Sequence, residues 1–433
     1  MGIINKDSDK DKKSYKHQKT FCSALWMHLH VINDGRAFPC CMTPIEDEHS
    51  LGNVKAEPLL ELMNSEKAKD MRKNMLKGNP LPDSCDRCVQ REKSGFGSMR
   101  IGMNDQWYDT IEDLIDETEE DGTINEVRLK YWDFRFSNYC NFACRTCSPL
   151  FSSKWSKDYT KVYGENATNE HLGLINLDTA YMFWDELDEH IDEAQMMHFA
   201  GGEPVIMPEH WKLIETLNEK EHYDVFMKYS TNASKLSYKG EDMIKVWQKF
   251  NKVHLSLSID GVGDVFNLVR HGGDWDVVKS NLERIRDAEI DYWIHPTISM
   301  LNIFRTTELH ETLFNMNMIP NKPLPHQKNP YSVDHYFTSR FHINPVSYPD
   351  HYSIRVMPKE LKDKARDQIL EYGERMNKKH GIPMSGWESL IDFMYSQEYN
   401  ENEFNEFVEL TKDVDQVRNQ NFLKLNPEFK PYF

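Results

Sequence analysis

Three cysteines, Cys140, Cys144 and Cys147, lie within eight positions of one another, directly after a strand-like run at 127–136. This spacing lets one tight loop turn three thiolates toward the same metal cluster. Closed iron–sulfur sites use four cysteines, so a cluster held by three keeps one iron free for another ligand. A structural zinc ion needs four ligands, and no Cys or His closely follows Cys147. The triplet therefore favours a cluster with an open iron over zinc or three reduced core thiols.

The other cysteines all precede residue 90: Cys22, Cys40, Cys41, Cys85 and Cys88. The run 21–31 alternates like a strand, and Asn-Asp-Gly at 33–35 predicts a hairpin turn because these residues accept the positive φ that such turns require. Cys22 and Cys40 should then face each other near the open end of the hairpin. Together with the later C-x2-C pair they can complete a cluster, and a structural zinc ion on the same four cysteines is the alternative.

A glycine-rich motif ends the second predicted strand of the later part of the chain: Gly201, Gly202, Glu203 and Pro204. Two adjacent glycines, which lack a β-carbon, allow a ligand to approach the backbone closely. The carboxylate beside them can accept hydrogen bonds from an ammonium group. Alone, such a motif would indicate only a turn. Its place one strand after the cysteine triplet indicates a ligand site.

Four further polar residues follow the next strands: Asn232, Ser258, Asp260 and Arg270. Their amide, hydroxyl and carboxylate groups could bond a ribose or an amino-acid moiety. The ordinary alternatives are a helix cap at Asn232 and a turn at Asp260. Arg270 could pair with a ligand carboxylate, or equally could form a surface ion pair.

Strands and helices alternate from residue 126 onward, which is typical of parallel β/α units. The predicted strands are 127–136, 195–199, 224–230, 252–259, 292–299 and 341–346. The predicted helices are 152–163, 210–220, 241–250, 275–288 and 306–316, preceded in the N-terminal part by one at 59–76. In an α/β fold of this kind, residues at the carboxyl ends of the strands meet at one edge of the sheet. After residue 350 the alternation stops, and amphipathic stretches at 357–379 and 387–418 predict a helical C-terminal region.

The 433-residue chain carries 70 acidic and 52 basic residues, a net charge of -18. The basic stripe of a nucleic-acid-binding protein is not evident, and no apolar run has membrane-spanning length. The first 20 residues are rich in Lys and Asp and predict a disordered tail, not a signal peptide. Eight cysteines without an export signal indicate reduced thiols that are available for metal, in a cytoplasmic protein.

The triplet and the glycine motif together resemble the radical S-adenosylmethionine (SAM) superfamily, whose signature is C-x3-C-x2-C. The resemblance implies a partial (β/α)6 TIM-type barrel with a SAM-binding [4Fe–4S] cluster on the triplet. It assigns SAM contacts to eight residues: Gly201, Gly202, Glu203, Pro204, Asn232, Ser258, Asp260 and Arg270. One departure is Thr146, because the residue before the third cysteine is usually aromatic and lies near adenine. Stacking on adenine should then come from Phe142 or Tyr139.

The early cysteines resemble an auxiliary-cluster domain of the SPASM or twitch type. The pattern is Cys22, twelve residues, Gly35, four residues and Cys40, followed after a gap by the C-x2-C pair. The resemblance implies one auxiliary [4Fe–4S] cluster, the second in the chain, with these ligands: Cys22, Cys40, Cys85 and Cys88. Cys41 is then spare. Such domains usually follow the barrel, whereas this one precedes it, which leaves its orientation toward the active site open.

The predicted organisation is a disordered tail at 1–20, a twitch-like domain at 21–100, an acidic connector at 101–125, the barrel at 126–350 and the helical region at 351–433. The resemblance implies that SAM is reductively cleaved to a 5′-deoxyadenosyl radical, which abstracts a hydrogen atom from a substrate. Enzymes with such auxiliary domains commonly act on peptide or protein side chains. A flavodoxin- or ferredoxin-type donor should supply the electron, with no membrane or nucleic acid as a partner.

Two alternatives to a peptide-modifying enzyme remain. One is a dehydrogenase or cyclase that acts on a small molecule. The other is a non-catalytic iron–sulfur protein for electron transfer or scaffolding, against which the glycine motif argues because a scaffold has no use for a SAM site.

Overall fold

The computed structural model describes residues 14–93, 98–164, 171–320 and 340–433. The strands are β1 His28–Val31, β2 Arg36–Phe38, β3 Gly52–Asn53, β4 Tyr131–Phe134, β5 Met196–Phe199, β6 Phe226–Thr231, β7 Ser237–Tyr238, β8 Glu241–Asp242, β9 Lys252–Leu257, β10 Asp291–Ile294, β11 Thr297–Ile298 and β12 Asn344–Pro345. The α-helices are α1 Ala24–Met27, α2 Leu59–Met63, α3 Glu66–Lys77, α4 Asp86–Lys93, α5 Met99–Trp107, α6 Glu112–Asp116, α7 Trp155–Tyr163, α8 Tyr181–His190, α9 Pro208–Glu219, α10 Met243–Trp247, α11 Gly263–Val269, α12 Trp275–Asp287, α13 Thr306–Asn315, α14 Lys359–His380, α15 Ser385–Tyr395, α16 Glu401–Arg418 and α17 Phe422–Leu425.

An eight-stranded sheet organises the described part of the chain, in the order β10-β9-β6-β5-β4-β1-β2-β3. Strands β4, β5, β6, β9 and β10 pair in parallel, and helices connect them as β/α units. This arrangement confirms the predicted α/β fold, consistent with a partial TIM-type barrel. The carboxyl ends of these strands therefore lie along one edge of the sheet, where the predicted site residues follow them.

The two faces of the parallel strands differ in chemistry. One face is apolar and packs against the surrounding helices, as in the edge-to-face contacts of Phe134 with Phe183 and of Tyr229 with Trp247, at ring-centre distances of 5.3 and 5.4 Å. Successive side chains of a strand point to opposite faces. The other face, which we call the inner face, therefore presents the intervening residues, many of which are polar.

The N-terminal hairpin is part of the same sheet, because β1 pairs in parallel with β4 and in antiparallel fashion with β2. The strand predicted at 21–31 is correct only for its second half. Residues Ala24–Met27 form a helical turn in which all four residues are buried. Ala, Leu and Met favour helices, so the apparent alternation there reflected burial on all sides and not two faces of a strand. Of the tail predicted at 1–20, residues 1–13 lie outside the described residues, and the backbone N–H of Tyr15 donates to Tyr108 Oη at 2.9 Å.

Three other predicted elements differ in the structure. The strand predicted at 292–299 breaks into β10 and β11 around Pro296, which has no N–H to donate to the ladder. The strand predicted at 341–346 shrinks to β12, which pairs with β11 outside the main sheet. The helix predicted at 59–76 is divided into α2 and α3. The Ser65 side chain caps the start of α3 by accepting a hydrogen bond from the backbone N–H of Ala68, which favours a new helix at this point.

The C-terminal region is helical, as predicted, although the stretch at 387–418 is divided between α15 and α16. It forms a second hydrophobic core with residues of the barrel, centred on side chains such as Phe404, Phe407 and Trp387. Helix α16 packs against α7, the helix that follows the cysteine triplet. Among the described helices, none has the length and apolar character needed to cross a membrane.

Candidate active site

The cysteine triplet lies in an irregular loop after β4, at the carboxyl edge of the sheet. Two backbone hydrogen bonds of 2.8 Å join this loop to the end of α11 and the segment that follows it. In one, the N–H of Ala143 donates to the carbonyl of His271, and in the other the N–H of Arg145 donates to the carbonyl of Val269. The loop is therefore held along its length, with its three thiols presented from a single turn.

In the triplet, Cys140 is buried, and Cys144 and Cys147 are partly buried. Burial raises the pKa of Cys140 and Cys144 above the usual range and raises the pKa of Cys147 to about 12. The positive charges of Arg270 and Arg418 act in the opposite direction at Cys144 and Cys147. The cysteines are thus thiols in the absence of metal, and binding of a cluster must release their protons.

The glycine motif packs directly against the backbone of the cysteine loop. The N–H of Gly202 donates to the carbonyl of Ser137 at 3.1 Å, and the N–H of Glu203 donates to the carbonyl of Tyr139 at 2.9 Å. A β-carbon on Gly202 would lie 2.1 Å from the carbonyl oxygen of Tyr139. The sequence alone predicts that a ligand approaches the paired glycines. In the structure, the close approach to Gly202 is made by the protein's own cysteine loop.

Glu203 is a buried carboxylate that joins the motif to the end of β6. Its oxygens accept hydrogen bonds from Thr231 Oγ1 at 2.7 Å and from the backbone N–H of Asn232 at 2.8 Å. Burial raises the pKa of Glu203 to about 7, against the opposing effect of these hydrogen bonds. A cation placed beside it would favour the ionised form, so the residue is suited to bind an ammonium group. Pro204, also buried, begins the short 3-10 helix that follows.

Asn232 connects the end of β6 to the cysteine loop. Its side-chain nitrogen donates to Asn141 Oδ1 at 3.1 Å, and its oxygen accepts from the N–H of Ser234 at 2.9 Å. Asn232 therefore contacts the loop itself, and no helix follows at once for it to cap. Ser258 lies just beyond β9, partly exposed, with its N–H bonded to the carbonyl of Thr231 at 2.9 Å.

Asp260 and Arg270 form a buried ion pair in which Arg270 Nε lies 2.8 Å from Asp260 Oδ2. The same guanidinium places Nη1 3.9 Å from the Sγ of Cys144. The other oxygen of Asp260 accepts from the N–H of Thr297 at 2.7 Å. Arg270 therefore does form an ion pair with a protein group, and the pair lies beside the triplet with its carboxylate buried and its guanidinium side chain 12% exposed. Both Asp260 oxygens are engaged by protein groups, so Asp260 positions Arg270.

The two aromatic candidates for stacking on adenine differ in exposure. Phe142 is 1% exposed and packs edge-to-face against Phe266 in the core, whereas Tyr139 is 43% exposed at the rim of the loop. Only Tyr139 of these two has a ring face that a ligand could reach.

The structure brings the four early cysteines together, although they come from separate segments. Cys22, Cys40, Cys85 and Cys88 line one cavity, whose walls are completed by Ala24, three methionines and Arg100. Burial raises the pKa of Cys40 to about 11 and that of Cys85 to about 12. Four converging thiols in an apolar wall fit the donor set of an iron–sulfur cluster.

Cys41 does not line this cavity. Its Sγ lies 3.6 Å from the Sδ of Met99, which does. Burial raises the pKa of Cys41 well above the usual range, and the negative charge of Asp133 on β4 raises it further. Strand β2 ends at Phe38, so the strand geometry expected for Cys40 and Cys41 is absent from this part of the described chain. The two cysteines nevertheless diverge, with Cys41 directed toward the barrel.

The spacing of both cysteine sets differs from that of a single-ion site. Among the described residues, groups of three or more Cys, His, Asp or Glu ligand atoms within 4.8 Å of one another occur only at Glu46–Glu48–His49 and His351–Glu403–Glu406. Sulfur ligands of one zinc ion, at about 2.3 Å from the metal, lie under about 4 Å apart. The wider separation of the thiols suits a group larger than one ion.

The C-terminal region, in which the sequence shows no catalytic motif, lies against the cysteine loop. Arg145, between the second and third cysteines, is 2% exposed and is paired with Asp415 and Gln420. Arg418 of α16 pairs with Asp158 at 2.8 Å and lies 4.4 Å above the ring of Trp155. No motif marked these residues, because the paired positions are about 270 apart in the chain.

Trp155 completes this contact by donating from Nε1 to the carbonyl of Cys144 at 2.6 Å. The C-terminal helix thus reaches the cysteine loop both directly, through Arg145, and through the helix that follows the loop.

Comparison with protein families identifies a domain in each of the two cysteine-containing parts of the chain. The radical SAM superfamily model matches residues 134–313, and the model for SPASM, an iron–sulfur cluster-binding domain, matches residues 22–89. The chain therefore carries a radical SAM domain, with an N-terminal SPASM domain ahead of it. These two domains imply [4Fe–4S] clusters and support a SAM-dependent enzyme, as the motifs indicated. Comparison with curated proteins gives no match.

Solved structures similar to this chain include native anSMEcpe with bound AdoMet and the Cp18Cys peptide, at 15% identity and a TM-score of 0.32, covering 57% of this chain and 60% of that one. The chain thus spans about three fifths of the length of anSMEcpe. Another is Streptococcus suis SuiB bound to precursor peptide SuiA, at 10% identity and a TM-score of 0.37, covering 76% of this chain and 72% of that one.

Proposed function

We propose that the protein binds SAM at the carboxyl edge of β4, β5, β6 and β9 and abstracts a hydrogen atom from a peptide or protein side chain. The observation that carries this proposal is that direct contacts connect the cysteine loop with the other predicted site residues. Asn141 of the cysteine loop is bonded to Asn232, whose backbone N–H is bonded to Glu203. On the other side of the loop, Cys144 is next to Arg270. Motifs dispersed over 130 positions thus form one connected site.

In this proposal the triplet holds a [4Fe–4S] cluster with an open iron, to which SAM binds. When bound, cluster and SAM supply an electron and a 5′-deoxyadenosyl radical that abstracts hydrogen. Glu203 accepts from the ammonium group of SAM, and the guanidinium of Arg270 binds its carboxylate. Tyr139 offers its exposed ring to adenine. The buried loop and the covering helix α16 exclude water from the reacting groups.

A second cluster is proposed on the cavity of Cys22, Cys40, Cys85 and Cys88. A peptide or protein substrate is favoured because the auxiliary domain is of the type found in peptide-modifying enzymes. An external flavodoxin- or ferredoxin-type donor would deliver the electron. The proposal excludes a scaffold role, since a connected SAM site has no function in a scaffold.

The test is to incubate the reconstituted, reduced protein with SAM and to measure 5′-deoxyadenosine. We expect formation of this product well above that of a cluster-free control prepared from the same protein. Absence of a difference between the two preparations would remove the enzymatic proposal.

A further inference from the structure

A row of polar and ionisable side chains crosses the inner face of the sheet at one level. Strand register places them side by side on neighbouring strands: His30, Asp133, His198, Lys228 and His254. Barrel interiors are ordinarily filled by branched apolar side chains. Buried polar groups are costly unless they are bonded, so this polar row indicates a functional surface and not a packed core.

Two groups of this row, Asp133 and His198, form a chain of contacts with Ser230. The Nε2 of His198 lies 3.1 Å from the Oγ of Ser230. Ser230 lies two residues after Lys228 on β6, and therefore on the same face of the sheet. The Nδ1 of His198 lies 3.5 Å from the Oδ2 of Asp133. The imidazole is 17% exposed, whereas the Asp133 side chain is fully buried. An open imidazole is therefore placed between a hydroxyl group and a buried carboxylate.

The charges around Asp133 fix its ionisation state. Burial opposes the charge, but Arg135 at 3.1 Å, together with His30 and His198, holds the pKa of Asp133 well below its usual range. Burial lowers the pKa of His198 to about 4, although Asp133 opposes that effect. At neutral pH the pair is thus a carboxylate beside a neutral imidazole. The carboxylate favours the tautomer with hydrogen on Nδ1, which leaves the lone pair of Nε2 directed at Ser230.

We propose that Ser230, His198 and Asp133 form a proton relay on the inner face of the barrel, which accepts a proton from a substrate whose reacting carbon bears a hydroxyl, thiol or amine group. The inference rests on the proposed function, since the radical chemistry supplies the reacting carbon. The heteroatom–hydrogen bond breaks with its electron pair left on the heteroatom, and the proton bonds to Nε2 directly or through the Ser230 hydroxyl. The imidazolium that forms is held by the Asp133 carboxylate.

The neutral imidazole of His198 is the form that accepts a proton in this step. Removal of a hydrogen atom from a carbon lowers the pKa of an O–H, S–H or N–H group on that carbon, which favours the transfer. His198 is the catalytic residue, and Asp133 is a positioning residue. The charged and titratable groups that face the relay from the packed elements are His28 and His30 of β1, Arg135 after β4, Lys228 of β6 and the thiol of Cys41.

Diethyl pyrocarbonate, which acylates the lone pair of a neutral imidazole, tests the relay without SAM or substrate. Its reaction with His198 is followed by peptide mass spectrometry on the full-length protein. Between pH 7.5 and 5.5 the rate for N-acetylhistidine in solution falls roughly tenfold, because its pKa is about 6.5. We expect the rate at His198 to change by less than about twofold. Absence of modification at pH 7.5, or a tenfold fall, would overturn the proposal.

Two serine variants distinguish a specific contact between Ser230 and His198 from a general change in the accessibility of the His198 ring. Ser230 and Ser256 are partners in the register of β6 and β9, but Ser256 contacts Trp293 and His295. Ser230→Ala should raise the rate at His198 severalfold by uncovering Nε2, and Ser256→Ala should leave it unchanged. Equal effects of the two substitutions on the modification rate of His198 would show that Ser230 does not cover Nε2. Asp133→Asn should slow the reaction severalfold by removing the preference for the Nδ1–H tautomer; if that variant does not fold, the serine pair decides.

The proposed function can fail independently of this result. If the wild-type protein forms no 5′-deoxyadenosine, the radical chemistry is excluded even though His198 reacts as expected. If the product forms but His198 is inert, only the relay is excluded.

Discussion

The carbonyl oxygen of Tyr139 lies 2.1 Å from the position that a β-carbon on Gly202 would occupy. The glycine motif and the cysteine loop are therefore fitted to each other backbone to backbone. Because the clashing atoms belong to the main chain, they cannot move aside as the end of a flexible side chain could. The geometry of the cysteine loop depends on the absence of a side chain at residue 202.

The first prediction follows from this contact. Gly202→Ala should displace the cysteine loop, so that the purified protein loses about half of its iron while the N-terminal cluster remains. Iron analysis and electron paramagnetic resonance spectra measure both effects. Gly386→Ala is the control, since its β-carbon would meet its nearest neighbour, in Ile343, only at 4.0 Å. Full iron content in Gly202→Ala would show that the loop tolerates the displacement.

A second prediction concerns the pH dependence of stability. The pKa of Glu203 rises from 4.5 to about 7 in the folded protein, which corresponds to about 3 kcal/mol at about 1.4 kcal/mol per pKa unit. Because the folded-state pKa is raised, the stabilising contribution of the protonated form is complete below pH 4.5 and is lost as the pH rises through about 7. Relative to Glu203→Gln, the wild type should therefore lose up to about 3 kcal/mol over this interval.

Urea denaturation of the cofactor-free proteins between pH 5 and 8 measures this difference. The Gln variant is its own control, because it keeps the shape of the side chain and cannot ionise. Parallel stability curves for the two proteins would mean that Glu203 is already ionised at low pH.

The sequence was sufficient for those parts of the site that are contiguous in the chain. The triplet and the glycine motif each lie in one loop, so their residue types and spacing indicated the chemistry without tertiary information. The parallel strands could also be predicted, since each is a short, largely apolar run with a helix on either side. Pro296 was visible as well, but the division it makes between β10 and β11 was missed.

Contacts between distant segments could not be read from the sequence. Arg145 and Asp415 pair across 270 positions, and neither stands in a recognisable pattern. The helix at Ala24–Met27 was missed because a fully buried turn has no polar side from which its period can be recognised. The glycine at 202 was correctly identified, whereas the reason for it depends on which backbone lies opposite.

The third prediction distinguishes the adjacent cysteines of the N-terminal domain. On a background that lacks the triplet, alanine variants of the cavity-lining residues should lose or distort the remaining cluster: Cys22, Cys40, Cys85 and Cys88. Cys41→Ala should retain it, because that thiol lies outside the cavity. Iron content and Mössbauer spectra report the outcome. Loss of the cluster in Cys41→Ala with retention in Cys40→Ala would reverse the assignment.

The fourth prediction concerns the C-terminal helix. Asp415→Asn leaves the buried charge of Arg145 without its carboxylate, which should lower the free energy of unfolding by about 3 kcal/mol. Because Arg145 lies inside the triplet, the loop cluster should also be lost more readily on gel filtration than the N-terminal one. Asp413→Asn, an exposed position on the same helix, is the control. Equal stability and iron retention in the two variants would mean that the helix does not support the loop.

In the proposed function, the triplet holds the cluster that cleaves SAM. Its most direct test is to measure 5′-deoxyadenosine formed by reduced, reconstituted Cys144→Ala beside the wild type, with the spectrum of the N-terminal cluster recorded in both. We predict product from the wild type alone, with the N-terminal cluster intact in both proteins. Formation of 5′-deoxyadenosine by Cys144→Ala at the wild-type level would contradict the assignment of the triplet.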